Sequence, residues 1–214
     1  MVRRNARSSF GSAYAFPGGV VDPGDKDIHD NCDGVDAVEA DRRLALESGG
    51  LDYYVAAIRE LFEETGVLLA TTESSVRQLR ESRERMNAGK LSWNDFARAS
   101  GTRMLCRELF YFAHWITPVV MSKRYSTRFF AAALPGGQVA THDENELTDS
   151  RWMRAADALA AGKQGRMKMH YPTQKTLEQL LPHKRVADLL TWAQAAEADG
   201  VETILPVLPE PNRG

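Results

Sequence analysis

Between residues 51 and 68 apolar side chains recur at helical spacing. Val55, Ile58, Leu61 and Phe62 fall on one side of a helix. At about 100° per residue, Arg59, Glu60, Glu63 and Glu64 fall within one arc of roughly 140° on the other. Gly66 closes the pattern where a left-handed cap suits glycine. Shorter helical patterns cover 35–46 and a charged stretch, 74–88, and Ser92-Trp93-Asn94-Asp95 reads as a capping box opening another helix. Strand-like runs follow at 108–116, 126–134 and 151–153. Helices are expected at 155–161, at 173–181 with Thr173 as N-cap, and at 183–198. Residues 203–208 read as an edge strand limited by Pro206 and Pro209. The first half of the stretch 22–50 is rich in Asp and Gly and reads as loop. Interleaved strands and helices argue for an α/β or α+β fold, and periodicity alone does not choose between them.

The 214 residues suit a single domain, 1–214, with a proper core. A formal charge of −2 gives no electrostatic case for a nucleic-acid or membrane partner. No apolar run reaches the roughly 18 residues of a membrane span, and the N-terminus lacks the apolar stretch of a secretory signal. Two cysteines, Cys32 and Cys106, suggest a reducing compartment, and a cytoplasmic protein is the expectation. Met1–Arg4 directly precedes a turn-like segment, which leaves two expectations open: the strands usual before this point are absent here, or the native chain starts upstream of Met1.

The acidic arc is the chemical clue. Like charges at (i, i+3) and (i, i+4) destabilise a helix by a few tenths of a kcal/mol, about 0.2–0.5 per pair. A hard divalent cation with oxygen ligands would offset that. By average composition, the order R-E-aliphatic-x-E-E-x-G-aliphatic at Arg59–Val67 arises on the order of once in 10⁴–10⁵ chains of this size. Upstream, Phe16-Pro17-Gly18-Gly19 forms a tight turn.

Together these residues resemble the signature of the Nudix hydrolase family: G, five residues, E, seven residues, then R-E-U-x-E-E-x-G-U, with U bulky aliphatic. The second half matches at every fixed position. In the first half, Gly19 is followed at the right spacing by Asp25 instead of Glu, and 26 extra residues (59 minus 33) separate Asp25 from Arg59. The split signature resembles a subgroup related to coenzyme A diphosphatases. Trp115-Ile116-Thr117-Pro118, residues 125–130 and Tyr171-Pro172-Thr173 add to that likeness. The resemblance implies a mixed β-sheet sandwiched between α-helices, interrupted by an insertion at 22–50 inside the motif and accompanied by a helical segment at 74–100.

The resemblance also implies a site. Glu60, Glu63, Glu64 and the backbone of Gly19 would bind Mg²⁺, with Mn²⁺ as the alternative, and Glu63 or Glu64 would polarise the attacking water. Arg59 would orient a glutamate through a bidentate pair. Gly18, Asp25 and Gly66 would support the site, and Glu146, in the segment 142–146, would add a further acid. Arg4, Arg128 and Tyr171 are candidates for binding substrate. His29-x-x-Cys32 lacks the second ligand pair of a structural zinc site.

The function implied is hydrolysis of a diphosphate linkage in a nucleoside diphosphate derivative, coenzyme A or an acyl-coenzyme A first. ADP-ribose, NADH or a nucleotide sugar is the alternative, and a non-catalytic nucleotide-binding module the reading of another class. A capped-RNA substrate is disfavoured by the lack of a basic stripe. The insertion and the 74–100 segment would either make a homodimer or cover the pocket.

Overall fold

The structure, a computed structural model, describes residues 1–4, 12–141 and 147–206, with the backbone alone at Arg4. The motif helix α2 (Gly50–Thr65) is central. Its apolar side buries Leu51, Tyr54, Val55, Ile58 and Phe62 in a core shared with Leu68, Met104 and Tyr111. Leu61 stays half-buried, so the apolar stripe is narrower than its periodicity suggests. The insertion supplies a preceding helix, α1 (Ala37–Leu44), N-capped by the Asp36 carboxylate on the Glu39 amide. α1 crosses α2 at Gly50, where a Cβ would lie 2.6 Å from backbone atoms of Ala40 and Asp41. That crossing requires glycine.

Among the described residues the strands pair in three small sheets. β1 (Val2–Arg4) lies between β2 (Tyr14–Ala15) and β7 (Leu147–Ser150), antiparallel to both. β3 (Ala70–Thr71) pairs with β4 (Arg103–Met104). In the third sheet β5 (Phe110–Ile116) runs antiparallel to β6 (Ser126–Ala131) and parallel to the short edge strand β8 (Thr203–Ile204), making it mixed. One side of this sheet meets α2, with the Phe130 ring centroid 5.0 Å from that of Tyr54. The other side packs Phe112, Ala113 and Trp115 on Ala193 and Trp192 of α7 (Val186–Asp199). The fold is α+β, with the mixed sheet held between helices as expected.

The remaining helices are α3 (Val76–Asn87), α4 (Trp93–Ala99), α5 (Ala155–Lys163) and α6 (Tyr171–Leu180). α3 opens on a capping box between Ser75 and Gln78, and Ser92 caps α4 on the Asp95 amide. α4 and its surroundings hold the insertion in place. Asn94 Nδ2 donates to the Gly24 carbonyl at 2.9 Å, Arg98 to that of Asp27, and Asn31 to that of Thr102. Farther along, Glu197 of α7 is 7% exposed and accepts from Arg43 of α1, the Tyr54 hydroxyl of α2 and the Tyr111 amide of β5. Three donors satisfy this buried carboxylate and tie α7 to α1, to the motif helix α2 and to β5.

Several elements depart from expectation. The insertion's first half contains a 3₁₀ helix, Asp25–Asn31, in place of loop. The strand expected at 151–153 lies at Leu147–Ser150, and Trp152 is 74% exposed. α6 begins at Tyr171 with His170 as N-cap, because Pro172 fits a first helical turn that needs no amide donor, so Thr173 is inside the helix. Val2–Arg4, ahead of the expected turn-like segment, form a strand. Among the described residues no helix is long and apolar enough to cross a membrane.

The mixed sheet carries one pH liability. His114, 5% exposed, bonds the hydroxyls of Thr203 and Ser126 at 2.8 Å each. Burial, aided by the Arg128 charge, lowers its pKa from 6.5 to about 4. Between those values the unfolded chain binds more protons than the folded one, so stability rises with pH. Acidifying across that window should cost up to about 3 kcal/mol. Urea midpoints at pH 7 and pH 4.5 for the native chain and His114→Gln would check this, the variant losing less on acidification.

Candidate active site

The polar side of α2 is not an open acidic face. Arg59 is 9% exposed and Asp25 1%. Arg59 Nε and Nη2 donate to the two Asp25 carboxylate oxygens at 2.9 and 3.1 Å, and Nη2 also reaches the Val20 carbonyl at 2.9 Å. The expected bidentate pairing with a glutamate is therefore corrected: the fork grips Asp25, and the remaining nitrogen, Nη1, contacts Glu60 at 2.9 Å and Glu63 at 3.4 Å. Asp25 bridges the 26-residue interruption because the 3₁₀ helix begins there. Its carboxylate also accepts the Asp22 amide at 2.7 Å, which sets its angle.

The glycine turn lies against the same face. The Gly18 amide donates to Glu64 Oε2 at 2.9 Å, and Glu64 is 4% exposed. Gly18 has φ +146°, where side chains are disfavoured. At Gly19 a Cβ would run into the Glu60 carboxylate, which would have to swing away from its present position. Gly66 caps α2 with φ +72° and donates to the Phe62 carbonyl.

Charges inside this cluster shift one another. Burial first, and then the Glu60 charge, push Glu63 up to about 7, while Arg59 opposes them. Burial works against the Arg59 charge, but Asp25, Glu60 and Glu63 outweigh it and raise its pKa. A buried guanidinium faced by three carboxylates stays charged, and the surplus of negative charge suits a further cation.

The donors are hard oxygens, the kind a Mg²⁺-sized ion takes, and the Glu60 carboxylate itself lies where a Cβ at residue 19 would go, against the backbone of the turn. Among the described residues, however, no three acidic, histidine or cysteine side chains converge as a ready ligand set. Glu60 is turned to Arg59, and Glu64 to the Gly18 amide. The residues fit a divalent ion in chemistry and location. Concavities of about 370 and 440 Å³ lie elsewhere, beside Cys32 and Glu39 and between α3 and α4, and include none of these side chains.

Gly18, Gly19, Asp25, Arg59, Glu60, Glu63 and Glu64 thus meet in one place. The substrate-binding candidates do not join them in a single pocket. Arg128 stacks 4.5 Å over the Tyr53 ring and donates to the Leu44 carbonyl, near the start of α2. Tyr171, 54% exposed, stands edge-on to Trp115 at 5.8 Å. Because Arg128 is registered with His114 and Trp115 with Thr127, Arg128 and Tyr171 belong to opposite faces of the mixed sheet. Arg4 contributes its backbone to β1 and its side chain lies outside the description; Glu146 lies outside the described residues. The sequence reading missed Arg83, whose guanidinium lies at the end of α2; within a run of charged residues nothing marked it.

Residues 36–180, more than half of the chain, match the family model of the NUDT19 Nudix domain. The chain belongs to the Nudix hydrolase family. The matched segment contains Arg59–Val67, while Gly18, Gly19 and Asp25 precede it, so the structure alone brings the two halves of the signature together. This Nudix hydrolase is 23% identical to the acyl-coenzyme A diphosphatase NUDT19 of Xenopus laevis, over 100% of the chain and 67% of the relative. It is also 23% identical to the putative nudix hydrolase 7 of Caenorhabditis elegans, over 99% of the chain and 62% of the relative. It therefore spans a little under two thirds to about two thirds of these relatives' length. A crystal structure of a Nudix hydrolase from Alicyclobacillus acidocaldarius shares its fold, with a TM-score of 0.65 and 23% identity, covering 89% of this chain and 86% of the other. Nudix hydrolases generally use a divalent metal.

Proposed function

We propose that this Nudix hydrolase cleaves the diphosphate linkage of a nucleoside diphosphate derivative, with coenzyme A or an acyl-coenzyme A as the substrate. The observation that carries the chemistry is the Asp25–Arg59 fork, which holds Glu60 and Glu63 beside the Gly18-Gly19 turn while Glu64 grips that turn. The likeness to a diphosphatase named for acyl-coenzyme A supports the substrate.

Glu60, Glu63, Glu64 and the Gly19 carbonyl would hold Mg²⁺ or Mn²⁺. When bound, such an ion offsets phosphoryl charge and acidifies a coordinated water. The chain's own residues do the rest. Arg59 keeps two carboxylates aimed along one face of α2, and burial keeps bulk water from competing with them. Glu63 or Glu64 takes the proton of the attacking water. The new bond forms between that water oxygen and one phosphorus, and the bridging P–O bond breaks. Coenzyme A would then yield an adenosine bisphosphate and a phosphopantetheine, the departing phosphate taking the bridging oxygen.

The test is incubation with Mg²⁺ or Mn²⁺ and coenzyme A, acetyl-coenzyme A, ADP-ribose, NADH, a nucleotide sugar and a capped RNA, with products identified by mass. Coenzyme A and its acetyl ester are expected to be cleaved fastest, by kcat/KM. Faster cleavage of ADP-ribose, NADH or the sugar would replace the substrate. Absence of any cleavage would make the chain a binding module.

A further inference from the structure

The end of α2 that carries Glu63 and Glu64 is finished from outside the helix. A helix leaves its last four carbonyls without intrahelical partners. In α2 these are Phe62, Glu63, Glu64 and Thr65, and each has a donor. The Gly66 amide takes Phe62 at 2.8 Å, and the Thr141 amide takes Thr65 at 2.8 Å. The middle two belong to Arg83 of α3. Its Nε donates to the Glu63 carbonyl at 2.9 Å and its Nη2 to the Glu64 carbonyl at 2.8 Å, while Asn87 adds a longer bond to Glu63 at 3.3 Å.

The same guanidinium faces the other way as well. Nη1 reaches the Thr141 hydroxyl at 3.0 Å and Nη2 the Thr141 carbonyl at 2.9 Å. Nearby, the Gln138 amide brackets the Leu68 backbone, accepting from its N–H at 2.8 Å and donating to its carbonyl at 2.9 Å. Gly66 leaves the space, since a Cβ there would come within 3.0 Å of Arg83 Nη1. One planar fork thus closes the last turn of α2 and fastens it to residue 141, a geometry an ammonium cannot reproduce. A cation at this position also complements the negative end of the helix.

We propose that Arg83 is a positioning residue for the hydrolysis, setting the Glu63 and Glu64 carboxylates through their own peptide carbonyls. The inference rests on the functional reading above. Helix ends fray when their carbonyls lack partners, and a small displacement of the last turn moves both glutamates together. The 74–100 segment thereby acquires a part in the site that neither of the expected roles, dimer contact or pocket cover, includes.

The experiment compares the full chain with Arg83→Met, Arg83→Lys and, as a control on the exposed side of α3, Arg80→Met. Three readouts are taken: kcat and KM, Mn²⁺ affinity by calorimetry with the metal alone, and amide hydrogen exchange over residues 62–66. Arg83→Met is expected to lower kcat about 10- to 100-fold with KM for the nucleotide little changed. Mn²⁺ affinity should weaken about 10-fold, as for loss of a group that orients ligands. Exchange at 62–66 should accelerate, and Arg83→Lys should behave like Arg83→Met, while Arg80→Met matches the native chain. If Arg83→Met does not fold, Arg83→Lys carries the same comparison. Native Mn²⁺ affinity and native exchange in a folded Arg83 variant would overturn the proposal, as would a drop in melting temperature with kcat and Mn²⁺ affinity unchanged. If the native chain cleaves no substrate, the hydrolase reading fails, and Mn²⁺ affinity with exchange still decides whether Arg83 sets the glutamates.

Discussion

Replacing Glu64 by glutamine is expected to reduce turnover of the cleaved substrate about 10²–10⁴-fold, the usual contribution of a positioned group that takes a proton in the transition state. The substitution tests chemistry more than folding. Glutamine has nearly the same volume, and its amide oxygen can still accept from the Gly18 amide, the contact made by Glu64 Oε2 at 2.9 Å. At 4% exposure the position would lose a buried charge and keep its hydrogen bond. Melting temperature should therefore hold or rise while kcat falls, measured with saturating Mg²⁺ and again with Mn²⁺. Native turnover in both Glu64→Gln and Glu63→Gln would sink the assignment of these carboxylates to the reaction.

The second large effect is on stability. Asp25→Ala should destabilise the protein by about 3 kcal/mol, the lower end of the range for stripping one partner from a buried ion pair. It falls at the lower end because Arg59 keeps Glu60, Glu63 and the Val20 carbonyl. For a chain of this length that corresponds to a fall in melting temperature of roughly 6–12 °C. The Asp22 amide also loses its acceptor, so the turn leading into the 3₁₀ helix should loosen. Asp25→Asn separates the two contributions, since it keeps the side-chain shape and removes the charge. Calorimetric scans of both variants provide the check, and a shift below about 2 °C in Asp25→Ala, under 1 kcal/mol, would show that the fork is not holding the insertion.

These residues also mark what could be read from the chain. The α2 motif and the caps at Ser92 and Gly66 were legible because each depends on neighbours within a few positions, and all three local expectations match the structure. The strand at Leu147–Ser150 was not, because its partner is β1, at the far end of the chain. Composition pointed instead to Trp152 and its neighbours, which are exposed or half-buried and unpaired as strand. Within the site, the meeting of Glu64 with the glycine turn follows from the family pattern. The Asp25 fork was legible only in part: in the family pattern the acid at this position often pairs with the arginine, but here it is a shorter Asp and an insertion of unknown shape separates the two. Arg83 was hidden for a related reason: its acceptors are backbone carbonyls, which leave no mark on residue type.

Glu197 has a bearing on how the molecule assembles during synthesis. It lies 154 positions after Arg43 and 143 after Tyr54, yet it fills the polar gap where α1, α2 and β5 meet. A nascent chain emerging from the ribosome would carry these donors with no acceptor until residue 197 had been made. Contacts this distant in sequence are slow to form and leave apolar surface uncovered meanwhile. A stop codon anywhere before residue 197 should therefore yield a chain dependent on chaperones, even though every residue of the α2 motif is already present.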